Sequence, residues 1–150
     1  MQSDELLREY LHKCHVMQLA TVQDTQPHIS SVYYVNDDKF NLYWASWPER
    51  RHSQRLLKND RVAATIVVQS DKDKPVCGIQ ITGRAEICED PATIEPVAAL
   101  YAQKFGRDSE WIKSFSRLKT KHRLYKLTPE LVELFDETKF KDNPVTINLG

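Results

Sequence analysis

The chain has 150 residues, and its 21 basic and 21 acidic side chains give a formal net charge of zero. This length supports one domain with its own core, and the balanced charge excludes a global positive field for non-specific nucleic-acid binding. No apolar run approaches the roughly 18 residues of a membrane-spanning helix, and the polar N-terminus lacks a signal-peptide core. We therefore expect a single cytoplasmic domain over residues 1–150, with no membrane or nucleic-acid partner.

The first part of the chain predicts one helix followed by three strands. An apolar stripe over residues 3–13 indicates the helix. Runs of β-forming residues then predict strands over 16–22, 28–35 and 40–45, with turn residues between them. Because the connections are short, these strands are expected to pair antiparallel; a parallel sheet would need regular strand–helix alternation.

The remaining elements alternate between helices and strands. Ser46 and Glu49 have the spacing of a capping box, which predicts a helix over 48–58. An apolar run predicts a strand buried on both faces over 61–68, and strict alternation predicts another over 78–88. The last predicted elements are a helix over 91–105 broken at Pro96, a helix to about 118, and strands over 123–127 and 131–135. These elements predict a mainly β fold with α insertions, a small antiparallel barrel of six to seven strands.

Catalytic and metal-binding signatures are missing from the sequence. The cysteines, Cys14, Cys77 and Cys88, form no C-x-x-C pair, which favours reduced thiols over disulfides or a zinc site. The five histidines show no metal-ligand spacing, and four glycines are too few for a glycine-rich phosphate loop. No catalytic residue and no metal ligand is identified, so any phosphate would have to be held by side chains and a helix N-terminus.

The segment WASWPERRHSQRL, residues 44–56, places cations at the start of a predicted helix. Arg50, Arg51, His52 and Arg55 stand where the helix dipole is already positive. Free backbone N–H groups in a first turn bind anions, and Ser46 lies just before them. Two interpretations stay open from these residues alone: a solvated basic helix face, or a site for a phosphate monoester.

Aromatic residues surround the same strand ends. The group consists of Tyr33, Tyr34, Tyr43, Trp44 and Trp47. Their ordinary role is core packing, but beside a phosphate site they could line a slot for a planar ring. A flat ring that carries a phosphate monoester describes flavin mononucleotide (FMN).

The order of four motifs resembles the pyridoxamine-phosphate-oxidase-like, FMN-binding split-barrel superfamily. The motifs are LATVQDTQPHISSVYYV, FNLYWAS, RRHSQRLLKNDRVAATI and GIQITGRAEI, and the resemblance covers roughly residues 15–136. The Arg51-His52 pair and the tail K-F-x-D-N at 139–143 resemble a small uncharacterised bacterial branch. The resemblance implies a split β-barrel that forms a homodimer, with two flavin sites at the dimer interface.

The resemblance also implies which residues bind the cofactor. Ser46 stands at the position of a phosphate-binding threonine, and Arg50-Arg51-His52 stand at the basic helix start. Ser30 replaces a strand arginine, whose charge Arg50 is expected to supply. The complete expected set is Ser30, Ser31, Val32, Tyr33, Trp44, Ser46, Arg50, Arg51 and His52.

The leading hypothesis is an FMN-dependent oxidoreductase with a small-molecule redox substrate. Pyridoxamine phosphate is not the expected substrate, because the substrate-binding pattern of that oxidase is not recognisable. Deazaflavin and haem are alternative cofactors, and haem would require His28, His52 or His122 to reach an iron. A third hypothesis is a non-enzymatic module that holds RNA or another polyanion through the basic helix, with Trp44 and Trp47 beside it.

Overall fold

The computed structural model describes residues 3–150, which form eight strands and five helices. The helices are α1 (Ser3–Lys13), α2 (Arg51–Lys58), α3 (Pro91–Phe105), α4 (Ser109–Ser116) and α5 (Glu137–Phe140). The strands are β1 (Val16–Gln23), β2 (Gln26–Tyr33), β3 (Val35–Asn36), β4 (Leu42–Ser46), β5 (Arg61–Gln69), β6 (Cys77–Cys88), β7 (Arg123–Asp136) and β8 (Val145–Asn148). None of these helices is long and apolar enough to cross a membrane.

The strands form one antiparallel sheet that curls into a half-barrel. Its order is β2-β1-β5-β6-β7-β4-β3, and β8 pairs with the second half of β7. Strand β7 therefore pairs with β6 along one edge, and with β4 and then β8 along the other. This architecture confirms the predicted mainly β, antiparallel fold class. Strand β8 was not predicted, and β3 is the separated end of the predicted second strand.

Two buried clusters hold the helices against the sheet. The main core joins α1 to the sheet and contains Trp44, whose ring stacks on Tyr125 with 5.8 Å between ring centroids. The second cluster joins α3 and α4 to β3, β4 and the start of β7. Strand β4 is therefore covered on both faces, since Trp44 faces one cluster and Tyr43 the other. All three cysteines are free thiols.

Strands β5 and β6 differ in how well the sequence predicted them. In β6, Ile79 and Ile81 are buried while Gln80 is exposed, as the alternation predicted. In β5, only one face is buried, and Val67 on the other face is 44% exposed. The prediction that β5 is buried on both faces is wrong, because no described element of this chain covers its outer face.

Two predicted interruptions are also wrong. The gap predicted between residues 127 and 131 is a β-bulge, since Thr82 pairs with Leu131 and Gly83 with Pro129, so that β7 continues as one strand. Helix α3 likewise runs through Pro96 without a break. Proline removes one backbone hydrogen bond, and burial of the inner face of α3 offsets that loss.

Candidate functional site

Helix α2 begins without a side-chain cap. It starts at Arg51, later than predicted, and Arg50 occupies the N-cap position with an extended backbone. The predicted capping box is wrong: the Ser46 side chain hydrogen-bonds to His52, because Ser46 is the last residue of β4 and is paired with Arg123 in the sheet. The first turn of α2 contains no acidic residue. Its first backbone N–H groups are therefore available to an anion.

Ser46 and His52 form a polar pair at this helix start. The Ser46 Oγ atom lies 2.8 Å from the His52 Nε2 atom, and Ser46 is only 8% exposed. Burial lowers the pKa of His52, and the positive charges of Arg50 and Arg55 lower it further. The imidazole is therefore favoured in its neutral form at neutral pH, but it lies where a bound anion would favour the charged form.

The arginines of this segment lie in two different places. The Arg50 guanidinium packs on Trp47, with its central carbon 5.1 Å from the ring centroid. Arg51 and Arg55 instead line a cleft of about 460 Å³ that also contains Asp24 and Lys58. Neither Ser46 nor His52 lines this cleft. The structure thus brings Ser46 and His52 together, with Arg50 close enough to lower the pKa of His52, and places Arg51 in the cleft.

The residues expected to border a flat ring lie along β2. This strand is at the edge of the sheet, and β1 is its sheet partner in the described chain. Ser31 and Tyr33 are exposed, whereas Ser30 and Val32 are half-buried. Strand β2 contacts both α2 and β4, the two elements that flank the Ser46–His52 pair.

The position of Trp44 does not match the expectation that its side chain borders a ligand. It is completely buried in the main core and stacks on Tyr125. Strand β4 is covered on both faces, so the Trp44 indole has no open space beside it. The expected contact with a ligand ring therefore does not match the position of this side chain.

Several buried polar groups were not predicted from the sequence. The Thr21 Oγ1, Trp44 Nε1 and Arg55 Nε atoms are buried without a hydrogen-bond partner among the described residues. The Ser53 and Tyr125 hydroxyls lie beside each other: burial raises the pKa of Tyr125, and the Ser53 hydroxyl partly offsets that rise. Ser53 and Arg55 belong to α2, and the buried Ser53 lies one turn before the buried Leu56. That spacing was the available signal for an inward-facing serine. Buried polar groups of this kind are usually satisfied by ordered water or a ligand.

No group of three or more His, Cys, Asp or Glu side chains that could hold a metal ion occurs within residues 3–150. The polar groups at the start of α2 are instead hydrogen-bond donors: backbone N–H groups, a hydroxyl, an imidazole and a guanidinium. Such donors bind the oxygen atoms of an anion.

Residues 3–136 match a family model described as pyridoxamine 5'-phosphate oxidase. A UPF0306 protein of Pasteurella multocida is 32% identical over 78 residues, which are 51% of this chain and 52% of that protein. The chain thus spans about half the length of the curated relative that it matches.

Solved structures share the fold over nearly the whole chain. A conserved hypothetical protein of Mycobacterium tuberculosis has a TM-score of 0.78 at 18% identity, covering 99% of this chain and 92% of that chain. HutZ, the haem storage protein of Vibrio cholerae, has a TM-score of 0.68 at 23% identity, covering 87% of this chain and 92% of that chain. General Stress Protein 26 of Bacillus anthracis has a TM-score of 0.70 at 19% identity, covering 99% of both chains. At these identities the likeness is one of fold.

Proposed function

The chain belongs to the pyridoxamine 5'-phosphate oxidase family, and from this premise we propose that it binds FMN and acts as a flavin-dependent oxidoreductase. The observation that carries the proposal is the uncapped start of α2, where the Ser46–His52 pair and Arg50 lie beside free backbone N–H groups. A phosphate monoester accepts hydrogen bonds from all of these donors, and its charge offsets the positive end of the helix dipole.

The flavin ring in this proposal lies against β2. An edge strand offers unpaired backbone N–H and C=O groups, and a flavin ring carries both acceptors and a donor that such groups can satisfy. Ser30, Ser31, Val32 and Tyr33 are the residues of β2 that would border the ring. The buried Trp44 is not among them, and Arg51 contributes its charge from the neighbouring cleft.

Bound FMN would supply the hydride- and electron-transfer chemistry. The residues of this chain would bind and orient the cofactor. The Ser46 hydroxyl and the backbone N–H groups at the start of α2 would donate hydrogen bonds to the phosphate. Protonated His52 donates from Nε2 to the same phosphate, in place of its bond to Ser46. Strand β2 fixes the ring relative to this anchor.

A homodimer is part of the proposal. Strands β2, β1 and β5 expose an outer face on which Ile29 is 69%, Tyr33 59% and Val67 44% exposed. Exposed apolar side chains that share one face mark an interaction surface. A second subunit on this face would cover these side chains and complete the wall of the ring site on β2.

Flavin titration tests the proposal. Adding FMN to the purified protein is expected to quench flavin fluorescence and shift the visible spectrum. Ser46→Ala and His52→Ala should each weaken binding about tenfold, because each removes a hydrogen bond to a charged group. The matched control is Ser70→Ala, an exposed serine between β5 and β6. A protein that neither quenches FMN fluorescence nor shifts its spectrum would reject the proposal.

Haem binding is the second candidate. HutZ, which shares the fold, is a haem storage protein, and His28 lies half-buried on the same edge strand β2. A Soret band on addition of haemin that is lost in His28→Ala would favour this function. The flavin proposal instead expects FMN binding to survive that substitution.

A further inference from the structure

Cations from two separate connections of the chain meet on one exposed indole. Trp47, which follows β4, is 38% exposed. The central carbon of the Arg50 guanidinium lies 5.1 Å from its ring centroid, and the Lys121 Nζ atom lies 5.6 Å from it. The His122 ring approaches edge-on, with 5.8 Å between centroids. We call these four residues the Trp47 patch.

The sheet fixes the position of the Trp47 patch. Because Ser46 of β4 pairs with Arg123 of β7, the residue after β4 lies next to the residue before β7. The Arg123 guanidinium donates to the carbonyl oxygens of Thr120, at 2.6 Å, and His122, at 2.9 Å. These bonds tie the connection between α4 and β7 to the end of the strand. The patch is therefore a consequence of the strand pairing.

The charge of the Trp47 patch is not neutralised within the described chain. All ion pairs among the described residues join Arg61 or Arg84 to Asp60 or Glu130, and none includes a residue of the patch. Burial lowers the pKa of His122, and the charge of Arg50 lowers it further. An anion bound between Arg50 and Lys121 would relieve this repulsion.

We propose that the Trp47 patch binds a nucleotide: the Arg50 and Lys121 side chains turn from the ring to the phosphates, and the base takes their place on the Trp47 indole. An exposed indole stacks on any base, while a guanidinium binds phosphate oxygens in pairs. RNA-binding grooves combine several stacking rings with an extended row of basic residues. Because this chain has zero net charge and the patch has a single stacking ring, the ligand is a free nucleotide.

This inference does not depend on the flavin proposal. The two sites share Arg50, but Trp47 and Lys121 belong only to the nucleotide site, while Ser46, His52 and β2 belong only to the FMN site. Trp47 follows Ser46 directly, and Arg50 lowers the pKa of both His52 and His122, so the two sites adjoin. If both are filled, the nucleotide lies beside the flavin phosphate.

Calorimetric titration of the flavin-free protein with ADP tests the inference. ADP is expected to bind saturably, and adenosine about tenfold more weakly, because it lacks the charged acceptors. Lys121→Ala and Trp47→Ala should each weaken ADP binding about tenfold, whereas Trp47→Phe should keep most of it. Lys72→Ala, an exposed cation between β5 and β6, is the matched control and should leave ADP affinity unchanged.

Three outcomes would overturn the inference. The first is no saturable binding of ADP, and the second is ADP binding of unchanged strength in both Lys121→Ala and Trp47→Ala. The third is binding of single-stranded oligouridine by the patch in place of ADP. FMN titration of the same samples separates this inference from the proposed function. If the protein binds ADP but not FMN, only the flavin proposal is rejected. If it binds FMN but not ADP, only the nucleotide site is rejected.

Discussion

His52 determines how the proposed phosphate site responds to pH. In the described chain its pKa is lowered by burial and by Arg50 and Arg55, and its Nε2 atom is hydrogen-bonded to Ser46. A phosphate dianion beside the ring would favour the imidazolium and raise the pKa. Binding of FMN would therefore take up a proton at His52.

Burial holds the pKa of His52 below its usual range in the free protein. The affinity for FMN is therefore expected to fall as pH rises above that lowered pKa, and to level off above the higher pKa of His52 in the complex. His52→Ala should lack this fall. In that variant only the phosphate titrates, with a pKa of about 6, so affinity should rise to a plateau instead. Fluorescence titrations across this pH range measure both curves, and parallel curves would contradict the assigned role of His52.

Tyr10 and Asp136 form a second polar pair, which stabilises the fold. The Tyr10 hydroxyl donates to the Asp136 Oδ2 atom at 2.5 Å, and both residues are buried. The other carboxylate oxygen of Asp136 accepts from the backbone N–H groups of Thr138 and Lys139 and so caps α5. This network ties α1 to the end of β7.

Tyr10→Phe is expected to lower the free energy of unfolding by about 1–3 kcal/mol, because it leaves a buried carboxylate oxygen without its donor. Tyr33→Phe is the control, since the Tyr33 side chain is exposed and removing its hydroxyl should change stability little. Denaturant unfolding of both variants makes the comparison. Equal stabilities would show that the Tyr10 bond contributes nothing.

At the scale of elements, the bulge between β6 and β7 depends on a glycine. A Cβ atom at Gly83 would lie 2.2 Å from the Thr128 carbonyl oxygen and 3.0 Å from the Pro129 Cα atom. Both contacts are with backbone, which cannot move without disturbing the strand pairing. Only glycine fits opposite the bulge.

Gly83→Ala is therefore expected to destabilise the protein by about 1–3 kcal/mol, the usual cost of forcing extra atoms into a packed site. Gln80→Ala, at an exposed position of the same strand, should cost less. Thermal or denaturant unfolding distinguishes the two. If Gly83→Ala is as stable as Gln80→Ala, the close approach of β7 is not as described.

The sequence predicted elements well where local pattern and tertiary setting agree. In β6 the alternation follows from one buried and one exposed face, and both are visible in the residue types. The start of α2 was mispredicted because sheet pairing with Arg123 holds Ser46 in β4, and no local signal shows that pairing. The continuity of β7 and α3 likewise depends on packing partners distant in sequence.

The same limit applies to the candidate site. The sequence placed Ser46 just before the basic helix start that contains His52, and in the structure the Ser46 Oγ atom lies 2.8 Å from the His52 Nε2 atom. Local sequence could not show that Trp44 lies in the core, because this depends on how β4 packs between two clusters. Nor could it show that Arg51 lines the neighbouring cleft, which α2 forms with the end of β1.

At the scale of the whole molecule, the proposed homodimer places a second subunit on the outer face of β2, β1 and β5. Ile29 and Val67 are exposed there in the single chain. Ile29→Lys is expected to convert the proposed homodimer to monomers and to weaken FMN binding, since a buried charge without a partner opposes association. Leu100→Lys on α3 is the control, an exposed leucine outside these three strands. Analytical ultracentrifugation reports the outcome, and a dimer that tolerates Ile29→Lys would place the interface elsewhere.

The affinity ratio between FMN and riboflavin tests the central claim most directly, because the two ligands differ only in the phosphate. If the start of α2 holds that phosphate, FMN should bind at least about 100-fold more tightly than riboflavin. Riboflavin lacks two charge-assisted hydrogen bonds, and each is worth about a factor of ten in affinity. The ratio should shrink in Ser46→Ala. Equal affinities for FMN and riboflavin, or no binding of either, would contradict the assignment of a flavin phosphate to this site.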